Sequence, residues 1–340
     1  MLKKYVYFVL FLLLPSIVSG REITDMAGRK ISVPEKISRV YGVSPPVTNL
    51  IYSIDPNLIA ALNSPVINEE KTMLRPEYKN LPVAGGIFGQ GRSLNMETII
   101  GLKPDLVIFW ALKDGGVNSQ YAEKMKDAGI PSVFLDLDRL EAYPKAYRFL
   151  GDILGRKERC EALASYSEES MKSVAAAVSG IPEKERTTVY YAEGTDGLST
   201  ERSSSLHAEL IFLAGGRNVH QGDAPDHYGM EKISLEQVML YDPEVILVQE
   251  KAFFDSVFSD KRWQSVKAVK NKRVYLIPRS PFNWFDRPPS FMRALGLKWL
   301  ANILYPSRYP IDPAAETKKF YGIYLGMELK DTQTREILGL

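Results

Sequence analysis

The chain has 340 residues, 45% of them hydrophobic and 25% charged, which is the composition of a folded globular protein and excludes a disordered or fibrous chain. Lys and Arg number 43 against 41 Asp and Glu, and the formal net charge of +2 argues against a nucleic-acid partner. A single Cys and three His exclude an internal disulfide and argue against a structural zinc cage. The length predicts two domains.

The first 20 residues have the layout of a cleavable secretory signal. Lys3 and Lys4 precede an apolar run at residues 6–14, and the small residues Ser19 and Gly20 follow as a cleavage site. The run is shorter than the roughly 20 residues that a membrane-spanning helix needs. No Cys follows it, so we expect a periplasmic protein released by cleavage rather than a lipoprotein. An uncleaved N-terminal anchor is the alternative.

Beyond residue 20, short apolar runs alternate with segments of helical period, which is the pattern of an α/β fold. Several runs are apolar throughout, as expected for strands buried on both faces of a parallel sheet. The predicted strands cover residues 39–43, 105–110, 132–137, 187–192, 245–249 and 273–277.

An internal repeat suggests two lobes of similar design. The segment SLNMETIIGLKPDLVIFW at 93–110 recurs in outline as SLEQVMLYDPEVILVQ at 234–249. Aligning Pro104 with Pro243 also superposes Glu97 on Glu236. Each copy predicts a short helix, a turn closed by Pro and a buried strand; chance similarity between α/β units is the alternative, because Pro is common in such turns.

A long helix is predicted between the two copies. Residues 157–178 show helical spacing without Gly or Pro, and Gly180 and Pro182 end the segment. Such a helix would extend roughly 33 Å, enough to bridge two lobes. We therefore predict two Rossmann-like α/β lobes, each with a central sheet, joined by one long α-helix, with a ligand cleft between them. The expected divisions are a signal peptide at 1–20, an N-terminal lobe at 21–156, the bridging helix at 157–179, and a C-terminal lobe with a helical tail at 180–340.

Catalytic motifs are missing from the sequence. It contains no GxSxG elbow and no HExxH, and the glycines at 85–91 fit neither a Walker loop nor GxGxxG. Asp136 and Asp138 could pair as carboxylates, but solvated loop acids are the favoured interpretation. We expect no enzyme activity, and an exported α/β hydrolase is the disfavoured alternative.

Several stretches carry a resemblance to a known family. They are DMAGRKISVPEKISRVYGVSP at 25–45, LAGGRNV at 213–219 and NWFDRPPSFMRALGLKWLANILYP at 283–306, together with the two repeat copies. In this order they resemble the periplasmic solute-binding proteins of ABC importers for iron complexes and cobalamin, the helical-backbone class. The resemblance covers residues 23–306. It implies a monomer without an intrinsic cofactor that binds a small molecule in its cleft, closes only slightly, and delivers its ligand to a dimeric membrane permease.

The resemblance, with the rule that α/β sheets bind ligands beyond the carboxyl ends of their strands, nominates the binding residues. Aromatic faces would stack on the ligand and Arg would pair with an anionic chelate. Trp284 is favoured over Phe282 and Phe285 for contact with the ligand. The ligand-binding candidates are Ser44, Gly86, Trp110, Tyr191, Glu193, Arg202, Arg279, Trp284 and Arg287.

His227, His207 or a cleft Tyr could coordinate a chelated metal, although a hydrogen-bonded structural role is favoured for both His residues. The ligand predicted first is an iron(III) chelate, either a siderophore complex or haem. Cobalamin or a nickel or cobalt chelate is the alternative in the same role. A scaffold or adhesion protein without a ligand is a further alternative.

Glu97 and Glu236 match the positions at which the cobalamin-importing relatives dock on Arg residues of the permease. Two equivalent carboxylates on two lobes would complement a permease with twofold symmetry. The alternative is that both are exposed acids favoured by a helix N-terminus.

Overall fold

An antiparallel hairpin opens the described part of the computed structural model, which covers residues 20–67, 73–87, 93–111, 116–226 and 229–340. The hairpin pairs β1 (Gly20–Thr24) with β2 (Lys30–Pro34). Asp25 joins it to the first lobe by accepting a hydrogen bond from the backbone N–H of Phe134 at 3.0 Å. Most of the predicted signal peptide, residues 1–19, lies outside the described residues. Within the described ranges, no helix is long and apolar enough to cross a membrane.

The N-terminal lobe surrounds a three-stranded parallel sheet in the order β3-β4-β5. Every residue of these strands is buried, because helices cover both faces of the sheet. The strands are β3 (Val40–Gly42), β4 (Leu106–Trp110) and β5 (Ser132–Leu135), and the helices are α1 (Pro45–Ile54), α2 (Pro76–Lys79), α3 (Met96–Leu102), α4 (Gly116–Asp127) and α5 (Tyr143–Leu154).

One long helix, α6 (Lys157–Val178), follows and coincides with the segment of predicted helical spacing. It packs along α5 on one side and against helices of the second lobe on the other. A Cβ at Gly151 of α5 would lie 2.8 Å from the Cys160 Cβ, so the close approach of α5 and α6 requires glycine there. Cys160 is fully buried, and burial raises the pKa of its thiol to about 12.

The C-terminal lobe contains a four-stranded parallel sheet in the order β11-β10-β6-β8, together with a small antiparallel pair, β7 and β9. The strands are β6 (Thr188–Ala192), β7 (Ser199–Thr200), β8 (Arg217–Asn218), β9 (Glu231–Lys232), β10 (Val245–Val248) and β11 (Val274–Leu276). The helices are α7 (Glu209–Leu213), α8 (Leu235–Tyr241), α9 (Lys251–Val257), α10 (Lys267–Lys270), α11 (Arg293–Leu304), α12 (Pro313–Leu325) and α13 (Asp331–Leu338). The predicted fold of two α/β lobes joined by a long helix is confirmed.

The two copies of the sequence repeat adopt the same local structure. Helix α3 is capped by Asn95 and ends at Lys103 in the left-handed region, with φ 49°. Helix α8 is capped by Ser234 and ends at Asp242, with φ 41°. Each helix leads into a buried parallel strand, β4 or β10, so the repeated sequence forms a repeated helix–turn–strand unit.

The main core is continuous across the molecule, running from the N-terminal sheet through α6 into the C-terminal sheet. Strand residues alternate between this core and a smaller cluster on the outer face of each lobe. Val40 and Leu106 belong to the shared core, whereas Tyr41 and Val107 belong to the outer cluster. The two lobes are therefore packed as one body at the base of the cleft.

The C-terminal helices contact both lobes. Helix α12 packs on α6, on α11 and on α1 of the N-terminal lobe. The Arg159 guanidinium of α6 donates to the carbonyl oxygens of Ser53, at the end of α1, and of Tyr324, in α12, at 2.7 and 2.8 Å. The predicted division assigned this tail to the C-terminal lobe alone and did not anticipate its contact with the N-terminal one.

Candidate functional site

A cavity of about 560 Å³ opens between the two lobes. Its walls follow the carboxyl ends of strands in both sheets, which is where parallel sheets place their loops. Trp110 ends β4, Glu193 follows β6, and Gln249 follows β10. The described residues that line the cavity are Pro45, Pro46, Thr48, Asn49, Leu62, Asn63, Ser64, Pro65, Val66, Tyr78, Gly86, Trp110, Glu193, Gly194, Thr195, His207, Met230, Gln249, Glu250, Arg279, Phe282, Arg287, Pro288 and Pro289.

The structure brings together only part of the predicted set. The predicted residues that line the cavity are Gly86, Trp110, Glu193, Arg279, Arg287 and His207. Those that do not line it are Ser44, Tyr191, Arg202 and Trp284. His227 falls outside the described residues.

The prediction for the aromatic loop has to be corrected, because Phe282 lines the cavity and Trp284 does not. A backbone hydrogen bond of 3.0 Å from Trp284 N–H to the Pro278 carbonyl closes the loop and turns residue 284 inward. The indole is fully buried, and its Nε1 donates to the Ser280 carbonyl at 3.2 Å. Phe282 instead meets Tyr52 of the opposite lobe edge to face, with ring centroids 5.9 Å apart.

Three other residues that were predicted to bind the ligand do not line the cavity and lie inside the lobes. Tyr191 is fully buried in β6, where its ring packs on Phe285. The Arg202 Nε donates to both Glu231 carboxylate oxygens at 2.9 Å. Ser44 is at the N-cap position of α1 and is fully buried, but its hydroxyl has no hydrogen-bond partner among the described residues.

Trp110 is held firmly at the cavity wall. Its indole Nε1 donates to the Asp138 carboxylate at 2.8 Å, and its carbonyl accepts a hydrogen bond from Asn118 at 2.6 Å. The backbone N–H of Asp138 in turn donates to the Asp136 carboxylate at 3.1 Å. Asp138 therefore holds the Trp110 indole directly, and Asp136 positions the backbone of Asp138.

A hydrogen-bond network that was not predicted from the sequence connects segments of the N-terminal cavity wall. The Asn63 amide nitrogen donates to the carbonyl oxygens of Gly42 and Gly85 at 2.8 and 3.1 Å. The Thr48 hydroxyl donates to the Asn63 carbonyl oxygen at 2.7 Å. Asn63 lies in a segment without helical or strand period, so no sequence signal marked it. Gln249, by contrast, ends a predicted strand, and the strand-end rule would have found it.

Buried charges form the C-terminal wall. The Arg287 guanidinium donates to the carboxylates of both Glu193 and Glu201. The Arg287 side chain is 20% exposed and both carboxylates are 0% exposed. A second Glu201 oxygen accepts from the Ser205 hydroxyl at 2.8 Å. We call Glu193, Glu201 and Arg287 the acid–arginine cluster.

Burial raises the pKa of Glu193 to about 8; the Arg287 charge opposes this shift, and Glu201 and Asp286 add to it. His207 Nδ1 lies 2.6 Å from the buried Asp286 carboxylate. Burial lowers the pKa of His207, but Asp286 outweighs this effect, so the net shift is upward. His207 thus lies on the cavity wall with Nδ1 hydrogen-bonded to Asp286. Among the described residues, no group of three or more His, Cys, Asp or Glu side chains is placed to hold a metal ion.

Glu97 and Glu236 occupy equivalent positions outside the cavity. Each is exposed in the first turn of its helix, α3 or α8. Hydrogen bonds from its own backbone N–H and from the Ser234 hydroxyl keep the pKa of Glu236 below its usual value. The structure thus presents one equivalent carboxylate on each lobe.

The titration of Glu193 predicts a pH-dependent stability. Its pKa in the folded protein, about 8, lies above the ordinary value of 4.5. The folded protein therefore retains a proton that the unfolded chain releases. This stabilisation is fully present below pH 4.5 and is lost as the pH rises through about 8. We expect the unfolding free energy of the wild type, measured by urea titration, to fall across this window relative to that of Glu193→Gln. Parallel curves for the two proteins would contradict the assignment.

The sequence and the fold were compared with known proteins. Residues 58–281 match the family model described as periplasmic binding protein. A solved ABC transporter solute binding protein from Sulfurospirillum deleyianum DSM 6946 is 41% identical, with a TM-score of 0.88 over 94% of this chain and 99% of that one. The molybdate-binding protein MolA of Haemophilus influenzae is 25% identical over 320 residues, 86% of this chain and 87% of the relative. The vitamin B12-binding protein of Vibrio parahaemolyticus is 24% identical over 267 residues, 75% of this chain and 85% of the relative.

Proposed function

The chain belongs to the periplasmic binding protein family, and from that premise we propose that it captures an iron(III) chelate, a siderophore complex or haem, and delivers it to an ABC importer. The resemblance found in the sequence is confirmed, and the relatives are transport solute-binding proteins rather than enzymes. The family membership does not name the ligand, and the iron(III) chelate is our proposal.

The cavity is the observation that carries this proposal. Its volume of about 560 Å³ falls within the roughly 300–1,000 Å³ of pockets that hold organic molecules and exceeds what a bare ion needs. Trp110, Tyr78 and Phe282 supply aromatic surface suited to the rings of a catecholate or a porphyrin. Arg279, 42% exposed at the cavity, can turn toward an anionic group.

The side chains available as metal ligands favour a metal ion that a chelator already holds when it reaches the protein. The described residues provide no cluster of three or more metal-binding side chains. Ions of transition metals are held in proteins by several imidazole, thiolate or carboxylate ligands together. A chelator that brings its own donor atoms removes this requirement.

Two other ligands are suggested by the relatives. The Haemophilus influenzae relative is a molybdate-binding protein, which makes a small oxyanion the second candidate. The Vibrio parahaemolyticus relative is a vitamin B12-binding protein, and cobalamin or a nickel or cobalt chelate would use the same cleft.

Thermal melts with a ligand panel test the proposal. The panel contains ferric ferrioxamine B, a ferric catecholate, haem, cobalamin, nickel–histidine and molybdate. A ligand at about 100 times its dissociation constant should add about 2.7 kcal/mol of stability, a shift of several degrees in the melting temperature. We expect a ferric complex or haem to produce it; a shift with cobalamin or molybdate alone would replace the iron proposal.

Tryptophan fluorescence locates the bound ligand. A ferric complex in the cavity should quench Trp110, which lines the cavity wall. Quenching should be weaker in Trp110→Phe than in Trp263→Phe, since Trp263 is buried in the outer cluster of the C-terminal lobe. Equal quenching in the two variants would contradict a ligand position beside Trp110.

Delivery to the permease is assigned to Glu97 and Glu236, because their equivalent exposure on the two lobes fits a dimeric permease. The protein would act as a monomer in the periplasm after cleavage of its signal peptide, without a lipid anchor.

A further inference from the structure

We infer that Gln249 is a preset hydrogen-bond donor of the cavity, so that the bound ligand presents an oxygen acceptor to this wall. The inference rests on the proposed binding function and narrows the chemistry of the ligand. Gln249 lines the cavity directly after β10 and is 5% exposed.

The orientation of the Gln249 amide is set by Asn283 behind it. The backbone N–H groups of Phe285 and Asp286 donate to one side-chain atom of Asn283, at 2.7 and 3.1 Å. Because a backbone N–H can only donate, that atom is the carbonyl oxygen of Asn283. The Asn283 amide nitrogen must then face the other way, where Gln249 lies at 3.5 Å.

Tyr191 fixes the same orientation more tightly. Its hydroxyl lies 2.5 Å from the Gln249 side-chain oxygen, and burial raises the pKa of Tyr191 well above its ordinary value, so it keeps its proton. If the Gln249 amide were rotated, its nitrogen would face the Asn283 amide nitrogen, and two hydrogen-bond donors would point at each other. Two donors, Tyr191 and Asn283, therefore converge on the Gln249 oxygen.

The other end of the Gln249 side-chain amide, its Nε2 group, is a hydrogen-bond donor. With its oxygen held by Tyr191, the Gln249 Nε2 group has no acceptor among the described residues, and it belongs to a side chain that lines the cavity. Its two N–H bonds suit a carboxylate, catecholate, hydroxamate or oxyanion oxygen. A ligand that placed a donor there would leave both groups unpaired, which is the arrangement that polar sites reject most strongly.

Gln249→Glu tests the inference, because it preserves shape and the acceptor for Tyr191 while replacing the donor by a carboxylate oxygen. Titration calorimetry uses four oxygen-rich probes: ferric ferrioxamine B, a ferric catecholate, haem and molybdate. We expect the probe that the wild type binds to bind the variant between about tenfold and about a hundredfold more weakly. Tyr191→Phe, which frees the amide to rotate, should give a smaller, few-fold loss. Gln120→Glu, at an exposed position of α4 away from the cavity, is the matched control and should bind like the wild type.

Each outcome is decisive. A purely structural role would lower the melting temperature of Gln249→Glu and leave the affinity within about twofold of the wild type, which would overturn the inference alone. A wild-type protein that binds none of the four probes would contradict the inference, and, if the full panel also fails, the proposed function with it.

Discussion

Replacing Arg287 by Met should destabilise the folded protein by about 3–5 kcal/mol, the usual cost of removing one partner from a buried ion pair. Arg287 is the shared partner of Glu193 and Glu201, whose carboxylates are 0% exposed. Without the guanidinium, both buried carboxyl groups would lose the hydrogen-bond donor and the positive charge that faces them. The loss should appear as a lower midpoint in guanidinium chloride unfolding at neutral pH, with an unchanged slope.

Two further variants separate charge from packing. Arg279→Met removes a second arginine that lines the cavity, whose side chain is 42% exposed and lies 3.5 Å from Glu250; it should cost less than about 1 kcal/mol. Adding Glu193→Gln and Glu201→Gln to Arg287→Met removes the unpaired acidic groups and should restore much of the lost stability. If the triple variant is as unstable as Arg287→Met alone, packing rather than charge explains the effect.

Reversing the two charges proposed for docking, in Glu97→Lys with Glu236→Lys, should abolish transport and leave ligand binding intact. Like charges facing each other across an interface cost several kcal/mol, so binding to the permease should weaken by at least about a hundredfold. Neither residue lines the cavity, so the melting shift with ligand should match that of the wild type. Uptake into proteoliposomes and binding to the permease in nanodiscs measure the two effects.

The matched control is Glu158→Lys with Glu169→Lys, which changes the charge equally at two exposed positions of α6. These positions lie on the bridging helix, and the double variant should transport normally. Normal uptake by the Glu97 and Glu236 variant would leave both residues as exposed helix acids without a docking role.

The fold could be predicted from the sequence because its strands are buried on both faces. β4 and β10 are apolar throughout, and α6 is free of Gly and Pro, so each gives a clear periodic signal. The pairs β1 with β2 and β7 with β9 were not predicted. The strands β7 and β9 have two residues each, and pairing between segments 30 residues apart leaves no local pattern.

The site was predicted in outline only. The strand-end rule nominated Glu193 and Arg279, which line the cavity, because the carboxyl edge of a parallel sheet follows from topology. It could not decide between Phe282 and Trp284, since their directions depend on the hydrogen bond between Trp284 and the Pro278 carbonyl. The same limit hid the orientation of the Gln249 amide, which is set by Tyr191 and by a loop more than thirty residues later in the chain.

The contacts of Arg159 also bear on the order in which the molecule can be completed. They join α6 to carbonyl groups 106 and 165 residues away along the chain. Contacts over such separations form late, because long segments must first be brought together. Helix α12 follows every strand of both sheets in the chain, so it is synthesised after them. A nascent protein therefore lacks the contact between Arg159 and Tyr324 until α12 has been made.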